Sequence, residues 1–338
     1  MPNSELRCRG LTSLLLLLLL LPGGGVLAAN PELPAPPPPI LDGYRADPDI
    51  RVFGDTYYIY PTSDKPNWQT TDFSCWSSKD LIHWKNEGII LDVAHKLSWA
   101  NIKAWAPTAA MCNGKYYFYF VANDRIGVAT SDHPGGPFID VLGHPLIDTK
   151  TAPFPTYPID PDVFIDDDGR AYLYYGNTHL AVVKMNPDML SLDGKPVEIT
   201  PKDSAEPFRE GIFVIKRKGI YYFMWSVDDA GSDNYRVAYG TSKSPFGPIE
   251  IPPNNVILQK HGLAKGTGHH GVVQVPGTDR WYMAYHRHSI PNGSGYIREV
   301  CLARMEFNPD GTIKPVDPLV PAFQPGNQGE PISGGRGR

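Results

Sequence analysis

The chain of 338 residues is 41% hydrophobic and 20% charged, a balance that supports a sizeable core and excludes wholesale disorder. Its 35 prolines and 33 glycines are too many turn-formers for a helix-dominated fold, so an all-β architecture is expected. The formal charge of −5 comes without a Lys/Arg cluster, which excludes the electrostatic footprint of a nucleic-acid binder and favours a neutral or mildly polar ligand.

Residues 1–29 read as a secretory signal peptide. Arg7 and Arg9 form a basic start, Leu11 to Leu21 an apolar run broken only by Thr12 and Ser13, and Val26-Leu27-Ala28-Ala29 a small-residue cleavage site. That run is shorter than the roughly 20 apolar residues a membrane span needs, and no later stretch approaches it. The expected product is secreted, extracellular or periplasmic, with no membrane partner. Residues 30–40, in which six of eleven are Pro, suit an extended lead-in. A folded unit is expected over 41–323 and a flexible tail, frayed or draped on the surface, over 324–338. Once Cys8 leaves with the signal, Cys75, Cys112 and Cys301 remain, an odd number read first as buried small hydrophobes. Asn292-Gly293-Ser294 is an N-glycosylation sequon.

Within the folded unit one pattern recurs: a short apolar strand, a turn with Gly or Asp, and a strand carrying an aromatic pair. It runs Ile50–Tyr60, Met111–Tyr119, Val163–Tyr174, Phe213–Phe223 and Val272–Met283. Each copy is a β-hairpin by composition. Aromatics of these second strands fall at Tyr58, Tyr117, Tyr172, Tyr222 and Tyr282, a spacing of about fifty to sixty residues. Further strand-like segments such as 127–130 and 236–240 follow, each leading to a Gly-Pro turn. A repeated four-stranded sheet is the unit of a β-propeller, and five copies fill the chain as a single-domain five-bladed propeller. A β-sandwich or two small β domains would not require five equivalent hairpins at such even spacing.

In a propeller the inner strands begin at one end of the central channel, so the residues just before each first strand should converge. Those are Asp47 in Asp47-Pro48-Asp49, Asp160 in Asp160-Pro161-Asp162, Glu210 in Glu210-Gly211 and His269 in His269-His270, with Trp105 of Trp105-Ala106-Pro107 beside that position in the second copy. Singly, an Asp before Pro is a turn-former and a Glu before Gly is solvated. Together, three acids and a histidine facing one channel repel and desolvate one another, a cost with no structural reason. Glycoside hydrolysis supplies a chemical one. It needs one protonated carboxyl to donate to the leaving oxygen and one carboxylate to activate water or attack, and a third acid can raise the donor's pKa by repulsion. Trp105 offers a ring that could stack on a sugar face. Asp166-Asp167-Asp168-Gly169 lacks the wider spacing of a calcium loop and reads as a hairpin turn.

Arg45-Ala46-Asp47-Pro48-Asp49-Ile50, Trp105-Ala106-Pro107, Ile159-Asp160-Pro161, Arg209-Glu210-Gly211 and Gly268-His269-His270, in that order, resemble the family 43 glycoside hydrolases across essentially the whole mature domain. The resemblance implies a five-bladed propeller and an inverting enzyme acting on arabinose- or xylose-containing oligo- or polysaccharide. It implies Asp47 as general base, Asp160 as the acid that tunes pKa and orients substrate, and Glu210 as general acid. It also implies His269 as a channel residue that in some members ligates calcium, and Arg298 as an arginine reaching a substrate hydroxyl. Calcium is thus a candidate ion, and no cofactor is required. The related family 32 propellers carry motifs this chain lacks. The absence of a second β-sandwich after blade five tilts the expectation from β-xylosidase toward an exo-acting α-L-arabinofuranosidase. Endo-arabinanase and galactofuranosidase are same-family alternatives, and a non-catalytic carbohydrate-binding propeller is the alternative of another class.

Overall fold

The computed structural model describes residues 33–331; the expected signal peptide, 1–29, and the end of the tail, 332–338, lie outside the described residues. Five antiparallel sheets, each running in chain order from the innermost strand outward, make up the fold among those residues. Blade one is Arg45–Phe53, Thr56–Ser63, Asp72–Ser78 and Lys85–Asp92; blade two is Trp105–Cys112, Lys115–Ala122, Arg125–Ser131 and Ile139–Asp140. Blade three is Asp162–Ile165, Ala171–Tyr175, Ala181–Met185 and Leu192–Glu198; blade four is Glu210–Arg217, Ile220–Val227, Arg236–Ser242 and Val256–Leu258. Blade five has three strands, Gly268–Gln274, Trp281–His288 and Arg298–Met305. This is the five-bladed β-propeller the repeat predicts, and the five hairpins are the first two strands of each blade.

The aromatic pairs explain how the blades hold together. Neighbouring residues on a strand point to opposite faces of the sheet, so each pair serves both seams that flank its blade. Tyr57 packs into the seam with blade five and Tyr58 into the seam with blade two. Tyr221 packs toward blade three and Tyr222 toward blade five, while Trp281 faces blade four and Tyr282 faces blade one. Five buried clusters result, one per seam, so the core is a ring of interfaces instead of a single centre. Cys75 and Cys301 are buried in two of them and, with Cys112, are free thiols.

The ring closes without a strand shared between blade five and blade one. Ile40 N of the lead-in donates to Val300 O at 2.9 Å on the third strand of blade five. Arg287, paired with Glu299 at 2.7 Å, donates to Pro37 O at 2.7 Å. The described part of the expected flexible tail, 324–331, is held in place. Phe323 stacks on Tyr282, buried Glu330 accepts from Tyr282 Oη at 2.9 Å, and Glu330 N donates to Asp80 O at 2.8 Å in blade one. This composition yields no core of its own, but its backbone still finds partners across the last seam.

Asp166–Gly169 is a turn, with Asp166 paired to Lys216 at 2.6 Å. Asn292 is exposed in the loop between the last two strands.

Candidate active site

At the upper end of every inner strand one residue takes a left-handed backbone: Asp47 (φ 48°), Ala106 (37°), Asp160 (54°), Gly211 (63°) and His269 (31°). In blades one, two, four and five the same place is a register shift in the pairing with the second strand, the bulge that re-aims side chains at barrel rims and active sites. Positive φ costs a non-glycine residue free energy, so its recurrence around one ring marks a site that the surrounding fold over-determines. Gly211 has no alternative: a Cβ there would lie 2.8 Å from Ser226 Oγ and 3.1 Å from the His269 ring.

This geometry corrects the expected phase in one respect. Asp47, Asp160 and His269 are true equivalents, whereas Trp105 and Glu210 sit one residue earlier, beside the small residues Ala106 and Gly211. With no bulky side chain at the bulge in blades two and four, the preceding residue reaches the cavity. All six residues singled out from the sequence, Asp47, Trp105, Asp160, Glu210, His269 and Arg298, line one cavity of about 300 Å3, which Trp68, Arg209 and Asp229 also wall.

The site's charges are unevenly neutralised. Arg298 Nη1 donates to Asp47 Oδ1 at 2.8 Å, and His269 Nδ1 lies 3.3 Å from the same oxygen. Asp47 N donates to His286 Nδ1 at 3.1 Å, so neutral His286 carries its proton on Nε2. Burial alone would raise the Asp47 carboxyl, but the Arg298 charge, helped by His269, holds it well below the usual range. Asp160 has no such cation. Its Oδ2 accepts from Gly211 N at 2.9 Å and lies 3.6 Å from His269 Nδ1. Burial, then Glu210 and Asp47, push Asp160 well above its usual range.

Glu210 accepts from Asn177 Nδ2 at 2.7 Å and from Tyr235 Oη at 3.0 Å. Burial raises its carboxyl too, with Tyr235 and Arg209 opposing and Asp47 and Asp229 adding to the rise. The three acids therefore divide into one held as carboxylate, Asp47, and two pushed toward the protonated form. That is the pairing of a ready base with a ready acid.

Trp105 Nε1 donates to Trp68 O at 2.9 Å, and Trp68 Nε1 donates to Gly295 O at 2.8 Å. The two indoles are thereby pinned to the rim, with Tyr296 edge-on to Trp68 at 5.4 Å. A calcium ion has a poor seat at His269. The carboxylates nearest the ring, Asp47 and Asp160, already have partners in Arg298 and Gly211 N, the Arg298 guanidinium occupies the same cluster, and one imidazole is a soft start for a hard cation. Among the described residues, no group of three or more His, Cys, Asp or Glu side chains is disposed to hold a metal ion.

Five contributors escaped the sequence: Asp64, Trp68, Asn177, Tyr235 and His286. They come from second strands and loops rather than from the repeated position on the inner strand, so the period gave no signal for them.

Residues 37–313 match the family model described as glycosyl hydrolases family 43. A β-D-galactofuranosidase, xynD, of Aspergillus niger is 37% identical over 294 residues, covering 82% of this chain and 84% of the relative. A β-xylosidase/α-arabinofuranosidase from a compost microbial metagenome, solved with xylotriose in a calcium-free form, superposes with a TM-score of 0.74 at 28% identity, over 85% of this chain and 100% of that one. An α-L-arabinofuranosidase from Clostridium thermocellum gives a TM-score of 0.68 at 33% identity, over 80% of this chain and 93% of that one.

Proposed function

We propose, for a chain that belongs to glycosyl hydrolases family 43, an exo-acting, inverting furanosidase that removes terminal α-L-arabinofuranosyl units from arabinose- or xylose-containing polysaccharide. The observation that carries this is the charged cross-brace beneath the cavity that the three acids line. Two residues beyond Asp47 and Asp160, Asp49 and Asp162 are bridged by Arg51 at 2.8 and 2.6 Å, and Arg51 also donates to Thr108 at 2.7 Å, so side chains of three blades meet across the channel below the acids. A chain end fits such a pocket; the middle of a polymer needs an open cleft.

In this reading the Asp47 carboxylate takes a proton from a water molecule as the water oxygen bonds to the anomeric carbon. The glycosidic bond breaks with its electron pair passing to the leaving oxygen, and Glu210 protonates that oxygen. Solvent then restores both groups. Single displacement inverts the anomeric centre. Asp160 and Arg298 would hold sugar hydroxyls, and Trp105 and Trp68 would pack on ring faces at the rim.

A second reading, β-D-galactofuranosidase, is favoured by the 37% identity to the Aspergillus niger enzyme of that name. The two sugars share the configuration of the furanose ring and differ in the exocyclic arm, so the same acid–base set serves either. Purified protein assayed on nitrophenyl α-L-arabinofuranoside, β-D-galactofuranoside and β-D-xyloside decides between them. Proton NMR of the first-formed sugar tests inversion. The proposed chemistry draws on side chains alone, so dialysis against EDTA should leave kcat unchanged. Secretion is supported by the basic, apolar and small-residue pattern of residues 1–29, and sequencing the N-terminus of the exported protein checks it.

A further inference from the structure

Arg298 is held from two sides, and only one of them belongs to the acid–base set. Asp64, at the end of the second strand of blade one, accepts from Arg298 N at 3.0 Å, from Nε at 2.9 Å and from Nη2 at 2.7 Å. Its side chain is 0% exposed and Arg298's is 4% exposed. The two residues are 234 positions apart, so the pair joins the first blade to the last directly behind the base. Asp64 does not line the cavity. Its backbone N donates to Tyr44 O at 3.1 Å, which fixes the turn that carries it.

A second buried carboxylate behind an arginine is an odd investment where negative charge is already in excess, since desolvating it costs several kcal/mol in order of magnitude. The geometry gives it a task. A guanidinium facing Asp47 alone would form a closed ion pair and leave that carboxylate a poor proton acceptor. Shared between Asp47 and Asp64, the same guanidinium orients Asp47 through Nη1 at 2.8 Å and only weakly through Nη2 at 3.4 Å, while Nε and the shorter Nη2 bond go to Asp64.

We propose that Asp64 is a positioning residue for the hydrolytic base: it fixes the Arg298 fork and divides its charge, so that Asp47 is oriented yet basic enough to take the proton of the attacking water. This rests on the reading of Asp47 as the base. Asp47 is faced by Arg298 and His286 of blade five's outer two strands, His269 of its inner strand, Asp160 of blade three, Glu210 of blade four and, through Arg298, Asp64. Of these, Asp64 is the one whose charge reaches Asp47 from behind the arginine.

The test is Asp64→Asn in the full chain, assayed on the best nitrophenyl glycoside and on the matching natural oligosaccharide. Loss of Asp64's charge leaves Arg298 to Asp47 alone and lowers Asp47's proton affinity. The acid limb of the pH–kcat/KM profile should move to lower pH, and kcat should fall roughly tenfold or more, equally on both substrates, with KM little changed. In an Arg298→Met background, adding Asp64→Asn should cost nothing further, because the residue acts through the arginine. An unmoved acid limb with wild-type kcat and a lower melting temperature would leave Asp64 a structural residue and overturn the proposal, as would fully additive losses in the double variant. If Asp64→Asn does not fold, Asp64→Glu keeps the charge and moves it. It should show a reduced kcat with the acid limb in its wild-type place, and a limb shifted as far as loss of charge would shift it defeats the idea. An active Asp47→Asn would instead sink the reading of the base itself.

Discussion

Two layers of the central channel are built from the same charges and do opposite things. The upper holds Asp47, Asp160 and Arg298; the lower, two residues along the same inner strands, holds Asp49, Asp162 and Arg51. Each draws its two acids from the two Asp-Pro-Asp strings of blades one and three. In the lower layer Arg51 bridges both acids, while Ala109 N and Val214 N donate to them at 2.9 and 2.8 Å. Each carboxylate oxygen there has a donor, from Arg51 or from the backbone of a neighbouring blade. In the upper layer Arg298 binds one acid only, turning its other edge to Asp64, and Asp160 is left with a backbone N–H and a histidine. A buried charge set that is fully paired makes a staple. The same set left one partner short holds protons at raised affinity and is poised to move them.

The largest expected effect breaks the upper layer. Asp47→Asn should reduce kcat/KM by about 10³-fold or more on every substrate, because no other group is placed to deprotonate water. Glu210→Gln should be as damaging on natural linkages but much milder on nitrophenyl glycosides, whose leaving oxygen needs little protonation. Steady-state kinetics on the two substrate types check both. Equal losses for Glu210→Gln on both would remove it as the acid.

The lower layer should respond in stability instead. Arg51→Met leaves the buried Asp49 and Asp162 without their cation, and breaking a buried pair by removing one partner costs about 3–5 kcal/mol. Urea unfolding at pH 7 measures it. The cost should shrink as pH falls, for this reason: burial raises Asp162 to about 6 even with Arg51 beside it. Without the arginine, its folded-state proton affinity rises further above the unfolded value, so stability is present below the unfolded pKa and lost as pH rises through the folded one. A variant as unstable at pH 4.5 as at pH 7 would show that the charges are not what Arg51 offsets.

These contrasts also explain what could be read from residues alone. The blades were legible because adjacent aromatics on one strand must serve two seams, which leaves a pair at every repeat. Asp47, Asp160 and His269 were legible because a left-handed residue recurs at one position per blade. Glu210 was found at a phase one residue off, since alternation along a strand gives no warning that Gly211 occupies the bulge. Asp64 and Tyr235 were invisible for a different reason: their partners, Arg298 and Glu210, lie on other strands or blades, and no local period encodes a contact 234 residues apart. The tail's Gly and Pro content spoke to core-building and left open whether Glu330 finds Tyr282.

The smallest expected shift concerns the proton that the upper layer shares. Glu210 and Asp160 are both buried, and Asp160 is pushed up by burial and then by Glu210. Two such acids titrate as a pair, with the last proton leaving against the charge of whichever carboxylate is already bare. Asp160→Asn removes that charge without removing the acid. The remaining proton on Glu210 then leaves more easily, so the alkaline limb of the kcat/KM profile should move to lower pH while the acid limb moves less, because Arg298 dominates Asp47. The sign holds whichever acid carries the proton at rest, since the last proton of the wild-type pair leaves two charged carboxylates side by side, whereas in the variant it leaves only one. Profiles of the two proteins on the same nitrophenyl glycoside make the comparison, with circular dichroism to confirm that both are folded. An alkaline limb that stays where it was would reduce Asp160 to a residue that holds a sugar hydroxyl, and the upper layer's missing partner would then serve binding rather than proton transfer.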